Sequence, residues 1–302
     1  MIKFGNFVVT DNNSWLGESS SPGPIPPTPV LPAGTVRVRT SDGNAPRKVE
    51  HTTYETATLV EGTSNVYDVY KSGDSFRRMF EGSTNVAEVL DANATGITNM
   101  DSMFYDCTSL TSVSLSNTSS VTDMSQMFRD CTALTTVTLF DTSSVIDMSQ
   151  MFYHCAYLTS VPLFNTANVT NMSGMFDDCA RLATVPLFNT SSVTRMDRMF
   201  AACAYGLTTV PLFDTSSVTN MATMFSGCLY LTTVPLFDTS SVTNMSSMFY
   251  NCYAVESGAL ALYQQASSQT NPPSTHNYTF HNCGSDTVTG AAELAQIPSD
   301  WK

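Results

Sequence analysis

The feature that most constrains this fold is a short motif that recurs seven times along the 302 residues. Each copy reads M-x-x-M-F-x-x-C, usually followed by L-T-x-V-x-L, and successive copies are 24 residues apart except across Gly206, where the step is 25. A unit this short cannot bury its apolar face alone, so it must stack on its neighbours. The sequence therefore predicts a repeat solenoid whose function lies on an extended surface. The Phe-Cys pairs are Phe104/Cys107, Phe128/Cys131, Phe152/Cys155, Phe176/Cys179, Phe200/Cys203, Phe225/Cys228 and Phe249/Cys252.

The first half of each repeat has the spacing of a short helix. Met221, Met224, Phe225 and Cys228 lie at i, i+3, i+4 and i+7, which is one face of a helix. The residue before the first Met is Asn or Asp in six of the seven copies, a good N-cap, and Arg195 is the exception. We therefore predict an α/β repeat solenoid in which each repeat contributes a short strand and a short helix.

The second half of each repeat predicts a short extended segment, and prolines within it keep the sheet narrow, at about three residues per repeat. By strict alternation from the inward Val and Leu, the prolines and the phenylalanines that follow them face outward. Such a ladder would suit a flat ligand, a peptide or a sugar. The alternative is that the strand ends at Leu and a turn folds Phe back into the core. The candidate ligand-binding residues are Phe140, Phe164, Phe188, Phe213, Phe237, Pro162, Pro186, Pro211 and Pro235.

The remaining sequence divides around the repeats. Residues 1–18 contain an alternating stretch, 3–10, that predicts a strand and an anchor or docking segment; residues 19–34 are a proline-rich linker. The alternative for this region is a disordered terminus. Residues 35–73 predict a small β cap, 74–252 the solenoid, and 253–302 a helical C-terminal cap, with one helix over 259–266 and a last helix capped by Thr289.

Composition limits the partners. The formal charge is −13 although only 13% of residues are charged, which excludes nucleic acid and anionic membranes as favoured partners. No segment approaches the roughly 18 apolar residues of a membrane span, and the first residues lack the features of a secretory signal.

Seven of the eight cysteines share one repeat position, which predicts reduced, buried thiols. If that position is helical, neighbouring copies lie about 8–10 Å apart, too far for disulfides.

Sequence motifs for catalysis are missing. The chain has four histidines, no H-E-x-x-H, no G-x-S-x-G and no glycine-rich phosphate loop. His276, His281, Cys283 and Asp286 offer zinc-type ligands, but their spacing is not a standard one, and a polar cap loop accounts for the same residues. We therefore predict a protein that is not an enzyme, with no catalytic residues, no metal and no cofactor.

The consensus V-T-N-M-S-S-M-F-x-x-C-x-x-L-T-x-V-x-L-F-D-T-S-S resembles the BspA-like class of leucine-rich repeat surface proteins, including the repeats of mycoplasma-type surface lipoproteins. The resemblance covers about residues 74–252. It implies a right-handed leucine-rich-repeat-like solenoid used for adhesion, of the kind found on bacterial surfaces and in proteins of phages that infect gut bacteria.

The predicted function combines this resemblance with the N-terminal organisation. We predict a phage virion appendage, associated with a tail or fibre, that recognises a cell-surface protein or glycan and attaches to the virion through residues 1–34. The alternative is a bacterial cell-surface adhesin anchored in the envelope, and a second alternative is a metal-dependent enzyme using the C-terminal cap. Oligomers are compatible with either location.

Overall fold

The structure is a computed structural model that describes residues 31–302 and three short strands near the N-terminus. Strands β1 (Lys3–Phe4), β2 (Phe7–Val9) and β3 (Trp15–Gly17) form an antiparallel sheet in that order, within a compact unit of residues 1–31. The strand predicted over residues 3–10 is divided into β1 and β2. Most of the predicted linker, residues 19–34, lies outside the described residues. The second unit spans residues 32–302.

The second unit begins with antiparallel strands that lead into the repeats. Strands β4 (Thr35–Thr40), β5 (Thr56–Leu59), β6 (Val66–Tyr70) and β7 (Val86–Ala92) lie in the order β5-β6-β4-β7. Strand β4 pairs antiparallel with β6 and β7, whereas β7 pairs parallel with the next strand of the sheet. The change from antiparallel to parallel pairing at β7 marks the start of the repeat stack.

Successive repeats stack in parallel. Strands β8 (Ser112–Val113) and β9 (Thr136–Val137) continue the sheet, and both belong to repeats that have no proline in this segment. The four proline-containing repeats form no strand there, because each proline removes a ladder donor. Parallel bridges on the other half of the repeat continue the stack through Ser75, Asn99, Asp123, Asp147, Asn171, Arg195, Asn220, Asn244 and Thr275.

The structure corrects the predicted helix in each repeat. Residues 221–228 bury the four side chains that the helical spacing selected, but they form consecutive turns. Every second N–H, from Met221 to Gly227, donates to a carbonyl of the next repeat and not to the carbonyl four residues earlier. Thr223 and Gly227 have φ values of 56° and 76°, which an α-helix does not contain.

The predicted N-cap residues close turns instead of capping helices. The Asn220 side-chain oxygen accepts the N–H of Ala222 at 3.1 Å, and Asn244 does the same with Ser246 at 3.0 Å. This is the local geometry of an Asx turn. At the exceptional position, Arg195 pairs with the Asp197 carboxylate at 3.1 Å.

The cysteines form a column of free, buried thiols, as predicted. In seven repeats the thiol donates to the carbonyl of the phenylalanine in the preceding repeat; Cys179, for example, donates to Phe152 at 3.0 Å. The same bond is made by Cys107, Cys131, Cys155, Cys203, Cys228 and Cys252. The predicted separation of about 8–10 Å between neighbouring copies is wrong, because adjacent repeats are hydrogen-bonded to each other. Each thiol is held by its bond to the carbonyl of the preceding repeat.

The phenylalanines beside the cysteines stack along the whole set of repeats. The ring centroids of Phe152 and Phe176 lie 5.7 Å apart with an interplanar angle of 3°, and those of Phe176 and Phe200 lie 5.7 Å apart with an angle of 8°. These rings, with the buried methionines on either side, make one continuous core.

The stack continues past Cys252 into a repeat that the sequence reading missed. Residues 275–283 repeat the turn half: Thr275 bridges Asn244, the Phe280 ring stacks on Phe249 at 5.9 Å, and Cys283 is buried. Helix α1 (Ala259–Ser267) is inserted before this repeat, and helix α2 (Val288–Gln296) and the 3-10 helix Ser299–Trp301 follow it.

Helix α2 is capped by Thr287, whose hydroxyl accepts the N–H of Gly290, and not by Thr289 as predicted. In the part of the chain that is described, no helix is long and apolar enough to cross a membrane.

Candidate functional site

The structure corrects the predicted outward phenylalanines. Phe140, Phe164, Phe188, Phe213 and Phe237 are all buried, and the prolines beside them are half-buried. In three of the five repeats the cause is a tight turn: the Phe188 N–H donates to the carbonyl of Pro186 at 3.0 Å, and the same bond forms between Phe164 and Pro162 and between Phe237 and Pro235. This two-residue turn breaks strict alternation and returns the ring to the core, where Phe188 lies 6.4 Å from Phe176.

The residue before each of these buried phenylalanines is a leucine, and it points into solvent. These side chains are between 54% and 63% exposed in five consecutive repeats, and together they form the leucine row, Leu139, Leu163, Leu187, Leu212 and Leu236. Single exposed leucines are common on proteins, but a contiguous apolar row is typical of a binding surface.

The preceding repeat supports this explanation. Leu115 holds the same repeat position as Leu139, but Ser116 stands where the other repeats have phenylalanine. Leu115 is only 6% exposed. The leucine therefore points outward in the repeats where a buried phenylalanine follows it, and it is buried in the repeat where serine follows it.

Beside the leucine row lies a row of exposed hydroxyl groups. Each belongs to the residue before the inward valine, and none has a hydrogen-bond partner among the described residues. By contrast, Thr122 and Thr194, on another side of the repeat, donate to carbonyls of the preceding repeat at 3.2 Å. The hydroxyl row is Thr136, Ser160, Thr184, Thr209 and Thr233.

A third exposed row contains Tyr157, Arg181, Tyr205 and Tyr230, and we call it the aromatic row. The Arg181 guanidinium lies over the Tyr157 ring, 4.3 Å from its centroid. Tyr205 is 69% exposed beside the inserted residue Gly206, where an added Cβ would lie 2.5 Å from the Leu182 carbonyl oxygen. Only glycine therefore fits the insertion without displacing the neighbouring backbone.

The leucine, hydroxyl and aromatic rows together form what we call the repeat face. The five segments that carry it, residues 131–139, 155–163, 179–187, 203–212 and 228–236, contain no acidic residue and one basic residue, Arg181. Carboxylates, including Asp214 and Asp238, follow the inward phenylalanines and border the leucine row. Hydrogen bonds from Ser216 lower the pKa of Asp214, so this border stays anionic. On a chain of net charge −13, the face is a nearly uncharged surface.

The residues that offered zinc-type ligands, His276, His281 and Cys283, each make a different contact in the structure. The Cys283 thiol is buried, and burial raises its pKa well above the usual range. His276 stacks on Trp301 with ring centroids 4.2 Å apart, and His281 stacks on Tyr250 at 5.0 Å. Over the described residues, no group of three or more His, Cys, Asp and Glu side chains is arranged to hold a metal ion.

Comparisons with known proteins identify similarity to one family. A family profile described as "Mycoplasma protein of unknown function, DUF285" matches residues 74–185 and 182–271, more than half of the chain. No curated protein matches the sequence. Among solved structures, the chain is similar to a leucine-rich repeat protein from Eubacterium ventriosum, with 14% identity and a TM-score of 0.32 over 68% of this chain and 78% of that chain.

Proposed function

We propose that this chain, which belongs to the DUF285 family of Mycoplasma proteins of unknown function, is a non-enzymatic binding protein that recognises a bacterial surface ligand through its repeat face. The observation that carries the proposal is the leucine row, five leucines more than half exposed in consecutive repeats on an otherwise acidic chain. An exposed apolar row costs solubility and is retained where it is covered by a partner. The BspA-like assignment stays a prediction.

The regular spacing of the face favours binding by many similar contacts. Hydrogen-bonded neighbouring chains lie about 4.8 Å apart, so each row presents nearly identical groups at that step. A ligand with its own repeat would contact several repeats at once, and affinity would accumulate through effective concentration. This argues for adhesion or receptor binding, and against a catalytic role, for which the face provides no nucleophile with a base beside it.

Removing two repeats tests whether the face binds. Deleting residues 135–182, two whole periods, takes away two leucines of the row with Tyr157 and Arg181. We expect the stack to remain folded, because each repeat contacts only its neighbours, and binding of the purified protein to bacterial envelopes to weaken without vanishing. Unchanged binding, with loss of binding in Tyr278→Ser in the last repeat, would place recognition outside the repeat face.

The location of the protein distinguishes a virion protein from a protein of the bacterial envelope. We propose a virion appendage that attaches through residues 1–34, and the alternative is an adhesin in the bacterial envelope. Mass spectrometry of purified particles and of envelope fractions is expected to find the chain in particles with its N-terminal peptide intact. Recovery from envelopes alone, with a processed N-terminus, would establish the adhesin instead.

A further inference from the structure

Arg181 differs from every other arginine of the chain. The other eight form ion pairs with carboxylates, namely Arg37, Arg39, Arg47, Arg77, Arg78, Arg129, Arg195 and Arg198. Arg181 has no acidic partner among the described residues, and its one side-chain interaction there is the stacking on Tyr157. On a protein of net charge −13, an exposed guanidinium without a carboxylate is a free cationic group.

The stacking orients Arg181 for binding. A guanidinium that lies over an aromatic ring keeps its N–H groups at its edge, where they remain available to donate. Contact with the Tyr157 ring, at 4.3 Å, also restricts the long side chain before any ligand arrives. Two parallel N–H donors match the two oxygens of a carboxylate or a phosphate, which gives a bidentate, charge-assisted pair.

The charges around the face decide where an anion would bind. The acidic residues Asp141, Asp214 and Asp238 border the leucine row, on the opposite side of the face from Arg181. On the aromatic border, Asp130 lies against Arg129 and His154, and Asp178 lies 3.8 Å from His154. Arg181 is therefore the group of the face itself that attracts an anion. Because Arg181 is the one basic residue of the face, it selects a ligand with sparse anionic groups and disfavours a polyanion.

The other two rows indicate the rest of the ligand. Tyr157, Tyr205 and Tyr230 offer ring surfaces against which the C–H faces of sugar rings pack, and the hydroxyl row offers unpartnered donors and acceptors in register. An extended peptide repeats its side chains on one face about every 6.8 Å, which does not match a step of about 4.8 Å between repeats. A linear chain of linked sugar rings repeats at nearly the step of the stack.

We propose that the repeat face binds a linear, largely neutral polysaccharide with sparse anionic groups, one of which pairs with Arg181. This inference rests on the proposed function, since it names the ligand class of the same face. The anionic group is a uronate carboxylate or a phosphate, two sources of the same chemistry. The polysaccharide lies along the stack, with its sugar rings on the aromatic and hydroxyl rows.

The experiment measures binding of the full chain to envelopes of a bacterium that the native protein binds. Aliquots of the envelopes are digested with protease, oxidised with periodate, carboxyl-reduced or dephosphorylated. We expect periodate to abolish binding and protease to leave it intact. Loss on carboxyl reduction assigns the anion to a uronate, and loss on dephosphorylation assigns it to a phosphate.

Two matched variants test the role of Arg181. Arg181→Gln is expected to weaken binding about tenfold, whereas Arg195→Gln, which makes the same change in net charge outside the face, leaves binding near the native value. Arg181→Lys keeps the charge but loses the planar fork, so its binding falls between the two.

Protease-sensitive binding that still depends on the leucine row would overturn the polysaccharide and leave the proposed function standing. Equal binding by Arg181→Gln and the native chain would overturn the anionic contact. Binding that depends on no residue of the face would remove both the inference and the proposed function.

Discussion

Raising the pH above about 9 is expected to unfold the repeat stack over a narrow range of pH. All eight cysteines are buried as free thiols. Burial raises the pKa of each, that of Cys228 to about 12. Unfolded thiols ionise near pH 8.5, approximately. Above that pH the unfolded chain binds fewer protons than the folded chain, so the free energy of unfolding falls as pH rises.

The size of the effect follows from the number of thiols. Each contributes a slope of about 1.4 kcal/mol per pH unit between its unfolded and folded pKa values, so eight give a slope of about 11 kcal/mol per pH unit. A typical domain is stable by about 5–15 kcal/mol. The stabilising effect of the neutral thiols is complete below the unfolded pKa and is lost progressively as the pH rises toward the folded pKa values. The accumulated loss exceeds a typical stability within about one or two pH units above the unfolded pKa.

Circular dichroism under reducing conditions, with the rate of thiol alkylation at each pH, measures this transition. Both signals are expected to change together, with few thiols reacting at neutral pH and all eight reacting once the stack unfolds. The matched variant replaces Cys131, Cys155, Cys179 and Cys203 with Ser and is expected to halve the slope. Serine is compatible with this position, because Ser83 holds it in the first repeat and donates to the Arg47 carbonyl. A folded, unreactive native protein at about pH 11 would contradict the prediction.

The period of 24 residues was sufficient to predict stacking, because it follows from the need to bury an apolar face. The Met, Phe and Cys side chains that recur with this period lie in the core, as predicted. The predicted helix in each repeat was wrong for a physical reason. Apolar residues at i, i+3, i+4 and i+7 share one buried side of the segment, but this spacing does not determine which carbonyls accept from the backbone N–H groups. In this stack every second N–H bonds to the next repeat, and consecutive turns satisfy the same spacing.

The binding face could not be predicted from alternation alone. Whether Phe188 or Leu187 points outward depends on the bond from the Phe188 N–H to Pro186, a local turn that period-2 reasoning does not contain. The sequence does mark this position as variable, since Leu115 is followed by Ser116 and not by a phenylalanine. The last repeat was missed because α1 interrupts the period, although Phe280 and Cys283 keep the spacing of the other Phe-Cys pairs.

Replacing Leu163, Leu187 and Leu212 together with Ser is expected to weaken binding to bacterial envelopes by at least about a hundredfold, while the free energy of unfolding changes little. Truncating a leucine that becomes buried on binding costs about 1–2 kcal/mol, and a hundredfold loss corresponds to about 2.7 kcal/mol. In the free protein these side chains are more than half exposed, so the folded state loses little buried area and each change costs about 0.5 kcal/mol or less.

Two comparisons make this result specific to the repeat face. Ile146→Ser removes an apolar side chain that is 49% exposed on another side of the stack, and it is expected to bind like the native chain. Leu115→Ser changes the same repeat position where the side chain is buried, and it is expected to lower the urea midpoint of unfolding with little effect on binding by folded protein. Calorimetry or surface binding assays, read together with urea denaturation, separate the two effects. Native affinity in the triple variant would show that the leucine row does not contact the ligand, because truncating three leucines that a ligand covers must weaken its binding.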